Sequence, residues 1–63
     1  MPAQEAPLIG YVWLIAAILF ALTALIQSAA AVIGDEPLLF IPVPFQILAA
    51  GVNGFVAYLY LAA

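Results

Sequence analysis

The sequence contains no lysine, arginine, histidine or cysteine, and each absence closes off a class of function. Without cysteine there are no disulfide staples, and without cysteine and histidine the usual transition-metal sites are excluded. Without lysine or arginine nothing neutralises phosphates, so direct electrostatic binding of nucleic acid is not expected. There is no lysine to form a Schiff base and no histidine to ligate haem or chlorophyll. The positive-inside rule has nothing to count, so the sequence sets no orientation across a bilayer.

Charge of either kind is scarce: Glu5, Asp35 and Glu36 give a formal charge of −3, and only 5% of residues are charged while 71% are hydrophobic. A soluble protein of 63 residues cannot cover that much apolar surface with so little polar surface. The chain therefore belongs in lipid, or in an assembly that buries most of its faces. Its start, MPAQEAP, lacks a basic n-region and is not read as a secretory signal. Ser28-Ala29-Ala30 has the small residues of a cleavage site, but the apolar run before it is read as structure.

From Leu8 to Ile26 the only residue that is neither apolar nor glycine is Thr23, and the pattern continues through Gln27, Ser28 and three alanines to Ile33. This predicts a first helix over about 8–33, roughly 39 Å long and so longer than a hydrocarbon core of about 30 Å. Pro7 suits a first helical turn, and Glu5 lies near the positive end of the helix dipole. Gly34 is expected to cap the other end, with Pro37 beyond it. A second apolar run predicts a helix over about 45–63, with Pro44 as its first residue and Gln46 and Asn53 as its only amides. The expected fold is all-α: one antiparallel two-helix hairpin of membrane type, packed in an assembly, with a connection over 34–44. Tyr11 and Trp13 near the start of helix 1, and Tyr58 and Tyr60 near the end of helix 2, would then mark one membrane interface.

The connection, IGDEPLLFIPVPF, carries two of the three charges and three of the five prolines. Asp35 and Glu36 mark where the chain leaves the apolar layer, because a carboxylate at its centre costs about 2.5–3.5 kcal/mol. The apolar stretch after them is expected to turn back against something apolar, and irregular backbone at that depth requires protein neighbours.

Few residues are candidates for chemistry. Asn53 lies mid-helix and is expected to make an interhelical hydrogen bond, to Thr23, Gln27 or Ser28 of its own or a neighbouring chain. Close helix packing is expected at Ala50-x-x-x-Gly54 with Ala57, against Ala17-x-x-x-Ala21 and Ala24-x-x-x-Ser28. Asp35 and Glu36 point in different directions with no third ligand nearby, so a solvated charge pair is expected rather than a metal site. Ser28 and Thr23 have no base to activate them, so no enzyme and no catalytic residue is expected.

Among small helical hairpins, a rotor proteolipid would carry a titrating carboxylate mid-way along its second helix, where this chain has Asn53. In size, composition and two-helix architecture the sequence more closely resembles the major pilins of conjugation-type filaments, of bacterial type IV secretion and archaeal DNA transfer. The resemblance implies a helical homopolymer with membrane lipid bound between subunits and no other cofactor. It implies a filament that leaves the membrane for the cell exterior, and a connection that faces a lumen with Asp35 or Glu36. The alternative is an integral accessory subunit held against larger membrane subunits of a respiratory or photosynthetic complex. A pore-forming peptide would need a polar stripe that Thr23, Gln27, Ser28 and Asn53 are too few to supply.

Overall fold

The computed structural model describes residues 6–62. Helix α1 runs over Ala6–Ile33, a short 3₁₀ turn covers Pro37–Phe40, and helix α2 runs over Val43–Leu61. The two helices lie side by side and antiparallel in a rod 49 × 13 × 13 Å, and the described residues contain no strand. The fold is an all-α helical hairpin.

Both helices are long and apolar enough to cross a membrane, and only 17% and 6% of their most apolar windows are buried inside the molecule. The core helix of a soluble protein would be mostly buried. At about 1.5 Å per residue, the 28 residues of α1 span about 42 Å and the 19 of α2 about 28 Å.

Three contacts set the register. A methyl group placed on Gly10 would stand 2.7 Å from Leu61 Cγ. One placed on Gly54 would stand 3.9 Å from Ala17 Cβ. Nearer the connection, Gln46 is hydrogen-bonded to Gln27. The seam between the helices follows a seven-residue period. On α1, Gly10, Ala17, Ala24 and Ala31 are buried or half-buried, with Gln27 half-buried in the alternate column. On α2 the matching residues are Val43, Ala50 and Ala57, alternating with Gln46, Asn53 and Tyr60. A strict seven-residue repeat keeps two helices in contact over several turns by supercoiling, and small residues bring their axes close.

Helix α1 ends by a route that differs from expectation. Gly34 keeps a negative φ, and Asp35 adopts the left-handed conformation at φ 51°. Around it the Glu36 N–H donates to Ala31 O at 2.9 Å and the Asp35 N–H to Val32 O at 3.4 Å. This is the Schellman pattern, with aspartate where glycine is usual. Aspartate tolerates the left-handed region better than most side chains.

The connection is also shorter and more ordered than the expected span of 34–44. Pro37 opens the 3₁₀ turn, the Leu39 N–H donates to Glu36 O at 3.0 Å, and the Ile41 N–H donates to Leu38 O at 3.1 Å. Pro42, not Pro44, stands at the entry to α2, and its carbonyl accepts from the Gln46 N–H at 3.0 Å. Pro44 falls one residue later than expected, still in the first turn, where a missing N–H leaves nothing unpaired. Helix α1 starts two residues before the expected Leu8, and α2 ends at Leu61 with Ala62 as its cap. Glu5 and Ala63 lie outside the described residues.

Candidate packing surface

The seam is built from small side chains, so the large ones are displaced outward. Ala24, Ala31, Val43 and Ala57 are the buried apolar side chains, at 1–8% exposure. By contrast Leu8, Ile15, Leu25, Ile26, Val32, Phe45, Leu48 and Phe55 are all more than half exposed. Burying alanine removes little apolar area, whereas each exposed leucine or phenylalanine retains about 1.5–3 kcal/mol of burial not yet realised in water. The hairpin is thus apolar on its outside and closely fitted on its inside.

Of the residues expected to pack the helices, Ala24 and Ala57 are buried, and Ala17, Ser28, Ala50 and Gly54 are half-buried along the seam. Ala21 is exposed, at the edge of the seam. The four-residue spacings therefore supply the seam unevenly, because the pairing follows a period of seven. That period is present in the sequence as Gly10, Ala17, Ala24, Ala31, and it was the signal that four-residue spacings obscured. Gly51 has open space around it, with nothing within 4 Å of an added methyl group.

Within the single hairpin Asn53 makes no bond to the other helix. Its Nδ2 donates to Ala49 O, one turn back in its own helix, at 2.6 Å. The register accounts for this, because Gly54 lies against Ala17 and the amide of α1, Gln27, stands about two turns away, level with Gln46. Thr23 and Ser28, offered as partners, likewise donate to the carbonyls of Leu19 and Ala24, each at 2.8 Å. The bond that does cross the seam is Gln46 Nε2 to Gln27 Oε1, at 2.6 Å. Gln46 Oε1 is buried and accepts no hydrogen bond. In sequence Gln46 was visible only as one of two amides in α2; its partner depends on the register.

Asp35 and Glu36 are exposed at the connection end, beside exposed Leu38, Ile41 and Phe45. Among the described residues no cluster of three His, Cys, Asp or Glu side chains stands close enough to hold a metal ion. Tyr11, Trp13, Tyr58 and Tyr60 occupy the opposite end, on both helices, as the hairpin requires.

A recess interrupts the outer surface. Between the helices, towards the connection, a groove of about 300 Å³ is lined by Ala21, Ala24, Leu25, Ser28, Val43, Ile47 and Ala50. Small side chains from both helices, Ala21, Ala24, Ser28 and Ala50, leave this space unfilled. Its lining is almost wholly apolar, since the Ser28 hydroxyl proton is given to Ala24 O. Compared with known protein families, curated proteins and solved structures, the chain matches none.

Proposed function

We propose that this chain is a structural membrane subunit that works by packing, and specifically the repeating subunit of a lipid-associated filament of the conjugation type. The observation that carries this reading is the reversal of side-chain size, with alanine and glycine inside and leucine, isoleucine and phenylalanine outside. A hairpin so arranged is complete as a fold and unfinished as a surface. Lipid, further copies, or both must cover it. In the filament, copies and lipid do so around the circumference, and the connection with Asp35 and Glu36 faces a lumen.

A second reading, an accessory subunit of a larger membrane complex, is favoured by the groove, which marks one face as unlike the others. Larger membrane subunits would then occupy that face and lipid the rest. Electron microscopy of the protein from its native source, with mass spectrometry on the same material, separates the two. Uniform filaments dominated by this chain support the first reading. Discrete particles with fixed partners replace it with the second.

A further inference from the structure

We propose that the Asn53 side chain pairs with the Asn53 of a second copy of this chain, carboxamide to carboxamide, at mid-depth in the membrane. The proposal rests on the membrane-subunit reading but does not require a filament. Its basis is an amide whose hydrogen bonding the hairpin leaves incomplete.

Asn53 is the only asparagine of the chain and stands near the middle of α2. Its Nδ2 gives one proton to Ala49 O; the second proton and the Oδ1 acceptor have no partner among the described residues. That oxygen is not sealed in the seam as the Gln46 oxygen is, and the residue is only half-buried. Ala49 and Val56, above and below it on the same side of α2, are half-buried too, so no large side chain projects past the amide there. Nothing on α1 turns to meet it. The Thr23 and Ser28 hydroxyls serve Leu19 O and Ala24 O, and Gln27 stands at the level of Gln46. The tyrosine and tryptophan donors lie towards the open end. Acyl chains supply no donor either, and water does not reach the middle of the hydrocarbon layer. The missing donor is therefore a side chain of another protein molecule. A second copy supplies the match, because a carboxamide with one free acceptor and one spare N–H is its own complement. Two Asn53 side chains related by a two-fold axis each donate to the other, an isologous contact that closes on itself. The match does not depend on insertion direction, since a mid-helix residue lies at the same depth in parallel and antiparallel copies.

A single asparagine makes the test direct, since labelled asparagine enters the chain at one position. Two kinds of full-length copy are mixed in phosphatidylcholine vesicles, one with ¹³C at the Asn53 carboxamide carbon and one with ¹⁵N at its Nδ2. Dipolar coupling between the two labels then arises only between molecules. Rotational-echo solid-state NMR should show dephasing at hydrogen-bonded range. Sedimentation equilibrium in density-matched neutral micelles reads the strength of the pairing, with circular dichroism confirming equal helix content. Asn53→Leu should weaken association several-fold, whereas Asn53→Gln should retain it because the amide is kept. Thr23→Val should leave it unchanged, because that hydroxyl is already bonded within α1. Absence of dephasing, or an Asn53→Leu variant that associates as tightly as the parent with helix content intact, would overturn the proposal and assign the amide to a different partner. Flotation with the vesicles tests the membrane reading separately. A helical chain that floats without dephasing loses the pairing alone, whereas a chain that stays outside the vesicles removes the reading beneath it as well.

Discussion

The side-chain amide of Gln46 donates to the side-chain oxygen of Gln27 across the seam, and the other end of the same amide is buried without a donor. One residue thus holds a good bond and an unmet need. The two halves of the pair are not equivalent. Gln27→Leu strands the Gln46 donor in addition to its orphaned oxygen, and should destabilise the hairpin by about 1–3 kcal/mol. Gln46→Leu removes the orphan together with the bond, and should cost less. Reversible unfolding in mixed micelles, followed by circular dichroism, measures both. Equal losses would mean that the orphaned oxygen carries no penalty.

Gly10 and Gly51 should respond oppositely to alanine. At Gly10 the new methyl group would stand 2.7 Å from Leu61 Cγ and 3.0 Å from Tyr60 Cβ, so that Leu61 must swing aside or the ends of the helices must move apart. Overpacking of that kind costs about 1–3 kcal/mol. At Gly51 there is nothing to meet, and alanine should stabilise α2 by about 0.5–1 kcal/mol. The same micelle unfolding experiment reads both signs. A neutral Gly10→Ala would mean the register at the open end is wrong.

Asp35 holds a left-handed conformation that glycine adopts without strain. Asp35→Gly should therefore leave the fold unchanged and raise its stability by up to about 1 kcal/mol. Asp35→Val, β-branched at the same position, should lower it. If Gly and Val behave alike, the turn after α1 does not depend on that torsion angle.

The single tryptophan reports depth. Trp13 lies seven residues into α1 from Ala6, about 10 Å along the axis, at the end shared by Tyr11, Tyr58 and Tyr60. Its fluorescence in vesicles should be quenched most by lipids brominated near the headgroup. Stronger quenching by bromine near the bilayer centre would shift α1 across the membrane.

In the proposed filament, copies standing in one direction would gather Asp35 and Glu36 on one side with no lysine, arginine or histidine to offset them. Replacing both, Asp35→Asn with Glu36→Gln, should strengthen self-association and make it less sensitive to salt. Energy transfer between labelled copies in vesicles measures this. An unchanged salt response would place the acidic ends of neighbouring copies well apart.

Much of the hairpin was legible because lipid-grade runs leave the backbone one economical solution. The positions of Gly34, Pro37 and the tyrosines indicated where it turns and which ends meet. What single-chain reading did not give along the seam depends on register, whereas the cap at Asp35 and the entry at Pro42 depend on local backbone geometry. Whether Asn53 meets an amide across the seam, and whether Ala21 lies within the seam or at its edge, is settled by a shift of one helical turn. Composition does not encode such a shift. The seven-residue recurrence of Gly10, Ala17, Ala24 and Ala31 does encode it, although alanine is common enough here for several other spacings to compete.

The size reversal also divides the chain by the question each position answers. Ala24, Ala31, Ala57 and Gly10 are judged by the hairpin alone, so substitutions there should fail in a single isolated molecule. Leu25, Ile47, Phe45 and Phe55 touch little within the molecule, so substitutions there should pass unnoticed until a neighbour arrives. A variant library screened once for membrane insertion and helix content, and again for assembly, would therefore return two nearly separate sets of intolerant positions. The second set, read by itself, would outline the neighbour.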